Sequence, residues 1–174
     1  MAGQRRQNRI LSPDFFKAYA LTLAPKLIGK YLVREYEGNI FRSIITEVEA
    51  YMGEEDLACH ASKGRTSRTE VMYREGGHIY IYLIYGMYYM LNIVTGDKDH
   101  PQAILIRGTQ EVSGPGRLTK LYHIDKSLNT KLLLPETGLW LEESNITLKY
   151  KTTPRIGVAY AKEWALKPWR YVAD

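Results

Sequence analysis

The stretch IYIYLIYGMYYMLNIV, residues 79–94, carries the clearest structural pattern in the chain. Two runs rich in β-favouring residues, 79–84 and 88–94, flank the tripeptide Tyr85-Gly86-Met87. The stretch falls short of the ~20 apolar residues that a membrane-spanning helix needs, and five of its residues are tyrosines. We therefore predict a β-hairpin with Tyr85 at its tip.

Strand patterns recur on both sides of this hairpin. Upstream, residues 31–33 and 40–51 predict a second hairpin that turns near Gly38-Asn39. Downstream, shorter strands are predicted at residues 103–107, 139–142 and 146–151. Strands that follow one another through short turns favour antiparallel pairing.

A helix is predicted ahead of the first strand. Ser12-Pro13-Asp14 is typical of a helix start, with a capping serine and a proline at the first helical position. Pro25 is expected to end or kink this helix. The side chains that recur every fourth residue, and are therefore predicted to share one face, are Phe15, Tyr19, Leu23 and Leu27.

A second helix is predicted at residues 117–124, and the polar, basic segment 61–74 is expected to be a surface loop. The patterns together indicate an α+β fold. We expect a single compact domain over residues 11–174, with a curved, mainly antiparallel sheet, surrounding helices and a protruding β-hairpin. Residues 1–10 are expected to form a flexible, basic N-terminus.

Composition narrows the class of protein. The chain has 174 residues, of which 45% are hydrophobic and 25% charged, as in a domain with a substantial core. A net charge of +5 favours a polyanionic partner. One cysteine excludes a disulfide framework, and the four histidines lack ligand spacing, so we expect no metal site.

The N-terminal residues contain no secretory signal. Residues 1–9 include Arg5, Arg6 and Arg9 with no apolar stretch behind them. We therefore expect an intracellular protein, in the cytoplasm or nucleoid of a prokaryote or the nucleus of a eukaryote, with no membrane segment.

Five acids and no base lie within residues 47–57. If residues 40–51 are extended, Glu47, Glu49 and Tyr51 lie on one face of the strand. A carboxylate is less expected in a strand, so Glu49 is a candidate functional residue. The acids at positions 54–56 are expected to lie in a solvated loop.

Tyrosines are concentrated in one part of the chain, with six between residues 73 and 89. Sheet packing accounts for Tyr80, Tyr88 and Tyr89, because tyrosine favours strands. The alternative is a pocket in which aromatic rings sandwich a planar ligand.

Several motifs occur together in a fixed order. They are TEVEAYMG at residues 46–53, Asp56, His60, YIYLIYGMY at 80–88, LNI at 91–93, ILIR at 104–107, SGPGRL at 113–118 and PRIGV at 154–158. In these motifs the sequence resembles the 3-methyladenine DNA glycosylases of the alkyladenine type, from about residue 11 to about residue 172. Two departures are Ser67, where a proline is expected, and the short segment 108–112.

The resemblance implies a monofunctional base-excision repair enzyme that flips a damaged purine out of double-stranded DNA and hydrolyses its N-glycosylic bond. It implies Glu49 as the general base, with Arg107 as a cation beside it. It implies a monomer without metal or cofactor. The residues matched to the binding of the flipped base are Tyr51, His60 and Tyr82, which sandwich it, Asn92, which screens purines, and Tyr85, which fills the gap in the duplex.

Basic residues are candidates for contacts with the DNA backbone, since phosphate contacts supply most of the affinity for DNA. Those proposed from the sequence are Arg65, Arg68, Arg117 and Lys120, with Lys162 and Arg170 as further candidates.

Two other functions are compatible with parts of the sequence. A carbohydrate glycosidase could use Glu47 and Glu49 as a carboxylate pair, which would leave the basic charge and the tyrosine hairpin without a role. A non-catalytic nucleic-acid-binding module could stack bases on the tyrosines, which would leave Glu49 without a role.

Overall fold

The computed structural model of the chain describes residues 9–174, in which nine strands form one sheet. The expected flexible N-terminus, residues 1–10, lies outside the described residues except for Arg9 and Ile10. The strands are β1 (Tyr31–Tyr36), β2 (Asn39–Tyr51), β3 (Ile79–Ile84), β4 (Tyr88–Thr95), β5 (Gln102–Thr109), β6 (Val112–Ser113), β7 (Leu139–Glu142), β8 (Tyr150–Thr153) and β9 (Arg170–Ala173).

Neighbouring strands pair in the order β3-β4-β5-β2-β1-β7, with β6 on β5 and β8 on β9. Every pair is antiparallel, which confirms the predicted α+β class and sheet type. Both predicted hairpins are present as β1–β2 and β3–β4.

Strand β2 is the centre of the sheet. Its first half pairs with β1, and its second half pairs with β5 on one side and β9 on the other. The pairing of β2 with β5 is irregular on both sides of Glu47. A long strand with two partners along its second half gives rigid support to the residues that it carries, Glu47, Glu49 and Tyr51.

Two α-helices pack beside the sheet, α1 (Ala20–Leu27) and α2 (Pro115–Leu121). The main core lies between α1, α2 and one face of the sheet, where Leu23, Ile45 and Ile104 are fully buried or nearly so. Six short 3₁₀ helices complete the described chain: Pro13–Lys17, His60–Lys63, Glu70–Tyr73, Lys126–Leu128, Pro135–Thr137 and Ala159–Leu166.

The prediction of one helix with a continuous face from Phe15 to Leu27 is wrong. A 3₁₀ turn ends at Lys17, Ala18 is extended, and α1 begins only at Ala20. The extended residue resets the periodicity, so Phe16 is buried and Tyr19 is 60% exposed. Pro25 lies inside α1, which ends two residues later.

Two further predictions need correction. The segment 61–74 is more than a surface loop, because its second 3₁₀ turn buries Val71, Met72 and Tyr73 in a small cluster beneath β3. The strand predicted at residues 146–151 begins only at Tyr150, where β9 becomes available as a partner. No helix within residues 9–174 has the length and apolar character needed to cross a membrane.

Candidate active site

A cavity of about 390 Å³ opens beside the end of β2, opposite the core face of the sheet. This volume lies in the range of ~300–1,000 Å³ that is usual for small-molecule sites. Its wall is formed by alternate residues of β2 to β5 and by the segments 58–60 and 156–160. Because side chains of a strand alternate between faces, residues two apart on four neighbouring strands converge on this cavity.

The structure brings most of the predicted site residues together. Those that line the cavity are Glu49, Arg107, Tyr51, His60, Tyr82, Asn92 and Tyr85. The predicted DNA-contacting bases lie outside it, and one of them, Arg170, pairs with Glu47. They are Arg65, Arg68, Arg117, Lys120, Lys162 and Arg170.

Glu49 lies at the floor of the cavity with no exposed surface. Its Oε1 accepts a hydrogen bond from the Tyr51 hydroxyl at 2.8 Å, and its Oε2 accepts one from the backbone N–H of Ile156 at 2.6 Å. The Nη1 of Arg107 lies 3.7 Å from Oε1. Three donors on different elements therefore surround one buried carboxyl group.

Burial raises the pKa of Glu49 above its ordinary value. The positive charge of Arg107, the Ile156 N–H and the Tyr51 hydroxyl act in the opposite direction, but desolvation is the larger effect. Arg107 thus favours the ionised form, as expected, without cancelling the effect of burial. A carboxyl group with a raised pKa is a stronger proton acceptor once it is ionised.

Tyr51 contacts both the Glu49 carboxyl group and the Arg155 guanidinium. Burial and the neighbouring Glu49 raise the pKa of Tyr51 well above its ordinary value, so its hydroxyl stays a hydrogen-bond donor at neutral pH. Arg155 packs against the Tyr51 ring, with its guanidinium 4.8 Å from the ring centre.

His60 and two tyrosines form the aromatic wall. The His60 ring lies 4.4 Å from that of Tyr82, and its Nδ1 is 2.8 Å from the Tyr80 hydroxyl. Burial and the nearby cations Arg68 and Lys63 lower the pKa of His60 to about 4, which makes the ring neutral at pH 7. Tyr80 is therefore more than a packing residue, because it fixes the orientation of His60.

Asn92 lies on β4 at the inner end of the cavity and is almost fully buried. Its Nδ2 donates to the carbonyl oxygens of Tyr80 and Met90, each at 3.3 Å. Two backbone acceptors on adjacent strands hold the amide group in place, so its position against a ligand is defined.

Tyr85 occupies the tip of the β3–β4 hairpin with 87% of its surface exposed. Its φ of +52° marks the turn, and Gly86 follows with a φ of +66°. Tyr82 and Tyr85 would face opposite ways in a regular strand, but the turn lets Tyr85 reach the mouth of the cavity while Tyr82 lies inside.

The predicted basic residues differ in their surroundings. Arg68 lies 5.3 Å from the centre of the Tyr82 ring, on the outer side of the aromatic wall. Arg65 pairs with Glu70 and Asp99, so much of its charge is already neutralised. Arg117 and Lys120 are exposed on α2, whose first residue, Pro115, lines the cavity.

The ion pair of Asp56 and Arg155 was missed by the sequence reading, which placed Asp56 in a solvated loop. Both side chains are fully buried, and Arg155 binds the two carboxylate oxygens of Asp56 at 2.5 and 2.9 Å. Arg155 also donates to the carbonyl oxygens of Ala50 and Trp164. This network fixes the chain just before Ile156, whose N–H binds Glu49.

The sequence signals for that network were Asp56 and the motif PRIGV at residues 154–158, both part of the resemblance but without an assigned role. Ile156, Val158 and Tyr160 from the same region line the cavity. Partners that lie 99 residues apart cannot be paired from local pattern alone.

Known proteins resemble this chain over most of its length. A family model described as Methylpurine-DNA glycosylase (MPG) matches residues 14–113 and 109–174. A protein of Methanocella arvoryzae is 40% identical over 182 residues, which cover 93% of this chain and 91% of its own. One from Legionella pneumophila strain Corby is 43% identical over 178 residues, with 95% and 96% covered. Both are named "Putative 3-methyladenine DNA glycosylase".

The buried ion pair gives a stability prediction. Asp56→Asn leaves the Arg155 charge without its partner, and breaking a buried pair in this way costs about 3–5 kcal/mol of unfolding free energy. Glu55→Gln, at the exposed neighbouring position, should change it by less than about 0.5 kcal/mol. Urea denaturation of the two variants measures the difference, and equal stabilities would show that the pair does not hold this segment.

Proposed function

The chain belongs to the methylpurine-DNA glycosylase family, and from that premise we propose that it flips alkylated or deaminated purines out of double-stranded DNA and hydrolyses their N-glycosylic bond. The substrates in this proposal are 3-methyladenine, 7-methylguanine, hypoxanthine and etheno-adenine. The product is an abasic site. The enzyme acts as a monomer inside the cell, where its DNA substrate lies.

The observation that carries the proposal is the position of Glu49. A carboxyl group on the floor of a cavity, held by Ile156 N–H and the Tyr51 hydroxyl, can receive a proton from a water molecule beside a bound nucleotide. An ionised carboxylate has about four acceptor positions, so two bonds leave capacity for that water.

In the proposed reaction, the water oxygen bonds to the anomeric carbon of the sugar while the carbon–nitrogen bond to the purine breaks. Glu49 accepts the water's proton, and the bonding electron pair leaves with the purine. A purine alkylated on N3 or N7 is cationic in the nucleotide and departs as a neutral molecule, whereas hypoxanthine and etheno-adenine are uncharged there and must also take up a proton from solvent as they depart. The negative charge of Glu49 also stabilises the oxocarbenium-like transition state.

The aromatic wall suits a cationic purine. Tyr51, His60 and Tyr82 offer ring surfaces, and each base–aromatic stack is typically worth ~1–3 kcal/mol. A protonated histidine would repel an alkylated base. The lowered pKa of His60, about 4, removes that repulsion at physiological pH.

The lining of the cavity favours hydrolysis without strand cleavage. A glycosylase that also cuts the strand needs an amine to form a Schiff base with the sugar. None of the described residues that line the cavity is a lysine.

The two alternatives suggested by the sequence fit the geometry less well. Glu47 does not line the cavity, and Arg107 and Arg170 both bind it, so it is not free to act as the second carboxylate of a sugar hydrolase. A module that only bound nucleic acid would have no use for a buried carboxyl group at the floor of its pocket.

The central test is the substitution Glu49→Gln, which keeps the shape of the side chain and removes the proton acceptor. General-base catalysis supplies ~10²–10⁴-fold, so single-turnover excision of 3-methyladenine should fall by at least about 100-fold. Binding to lesion-containing DNA should change little. Glu55→Gln is the control and should excise at the wild-type rate; a Glu49→Gln variant that does the same would refute the assignment.

The two hairpin tyrosines should separate in their dependence on the opposing base. Tyr85→Ser should reduce excision of tightly paired lesions more than excision of mismatched ones, because the wedge offsets part of the few kcal/mol that unstacking costs. Tyr82→Ser should reduce excision of alkylated purines equally against every opposing base, because only stacking in the pocket is lost. Excision of one lesion placed opposite each of the four bases distinguishes the two. The same profile for both variants would contradict separate roles.

The basic residues should differ in the salt dependence of DNA binding. Each phosphate contact contributes about −0.9 to the slope of log K against log salt in duplex DNA. Arg117→Ala should therefore flatten the slope by roughly one unit without changing lesion preference. Arg65→Ala should flatten it less, because Glu70 and Asp99 already pair with Arg65. If Arg65→Ala flattened the slope more than Arg117→Ala, α2 would not be the main contact with the DNA phosphates.

A further inference from the structure

Glu47 lies two residues before the proposed base and binds two of the cations of this region. Its Oε1 accepts from the Nε of Arg107 at 2.8 Å and from the Nε of Arg170 at 2.7 Å. The three side chains are between 9% and 19% exposed. Water screens such a cluster much less than it screens a surface ion pair.

Arg107 is turned towards Glu47 and not towards Glu49. Its Nη1 lies 3.7 Å from the nearer oxygen of Glu49, which is beyond hydrogen-bonding distance. Guanidinium groups commonly bind a carboxylate through two parallel N–H···O bonds, but here the directed bond from Nε goes to Glu47.

The backbone supports this arrangement. The pairing of β2 with β5 shifts register between Ile45 and Glu47 and again between Glu47 and Val48. A β-bulge bends its strand and changes the direction of a side chain. The irregularity is centred on Glu47, the residue that holds Arg107, and not on Glu49.

We propose that Glu47 is a positioning residue for the reaction: it holds Arg107 aside, so that the guanidinium stays near Glu49 without forming a two-bonded salt bridge to it. This inference rests on the proposed function. A two-bonded salt bridge would occupy acceptor positions that the attacking water needs. It would also make the carboxylate a weaker base, since an adjacent opposite charge favours the ionised form.

The charge balance around Glu49 makes the proposal testable by pH. The groups that face it are Tyr51 and Glu47 on β2, Tyr82 on β3, Arg107 on β5, Arg155 before Ile156, and Arg170, its cross-strand neighbour on β9. Glu47 is the one described carboxylate among them. Without its charge, Arg107 is free to turn towards Glu49. Arg107 and Arg170 then share Glu49 as their nearest carboxylate, while Arg155 stays paired with Asp56.

The experiment is the pH dependence of single-turnover excision of 3-methyladenine by Glu47→Gln. We expect the acid limb to move to lower pH by about one unit and the plateau rate to fall about tenfold, because the base is weaker. The matched control is Glu142→Gln. Glu142 is equally buried and binds Arg42 through both oxygens, but it lies on β7 outside the cavity. Its loss should lower stability and leave the acid limb in place.

A second variant covers the case in which Glu47→Gln does not fold. Glu47→Gln/Arg170→Gln removes one charge of each sign, so no cation is left in excess, yet Arg107 still loses its charged partner. We expect its acid limb to move to lower pH as well.

Three results would overturn the inference: an unshifted acid limb in both variants, a lower plateau without any shift, or a shift in the single variant that the double variant abolishes. The last result would mean that net charge matters and the orientation of Arg107 does not. Failure of the proposed function is a different outcome, because the wild-type protein would then release no damaged base, or Glu49→Gln would remain active.

Discussion

The geometry of the candidate site depends on one buried carboxyl group, Glu49, in a cavity lined by distant parts of the chain. Its two hydrogen bonds come from Tyr51 on the same strand and from Ile156, which is 107 residues away. Arg155, the residue before Ile156, is anchored to Asp56 and to the backbone of Ala50 and Trp164, which positions the donor of the second bond. The ion pair therefore links the stability of the C-terminal segment to the geometry of the proposed base.

Electrostatics are divided between the inside and the outside of the cavity. Inside, Arg107 bonds to Glu47 behind the wall and not to Glu49, and His60 is neutral because burial and nearby cations lower its pKa. Outside, Arg117 and other exposed bases remain available to a polyanion. A cavity without a strongly bound cation on its carboxylate suits a positively charged purine, while the outer surface suits the DNA backbone.

Much of the fold was predictable, because alternation with a period of two is visible in the sequence. It gave both hairpins and placed Glu49 and Tyr51 on one face, and the motif resemblance added His60, Tyr82 and Asn92, which line the same cavity. Contacts between distant segments were not predictable. Asp56 looks like a solvated loop residue in the sequence, because its partner Arg155 is distant along the chain. No local signal in the sequence marks the break of the first predicted helix at Ala18.

Titration of the Glu49 carboxyl group itself tests most directly whether Glu49 is a buried general base. In protein with ¹³C-labelled glutamate side chains, its resonance is the one missing from Glu49→Gln, and its midpoint can be compared with the acid limb of excision. Because burial raises its pKa, we expect Glu49 to ionise above the ordinary value of glutamate, and excision to be lost as the pH falls through that same midpoint. Ionisation at or below the ordinary value, or excision that persists below the midpoint, would contradict a buried general base at this position.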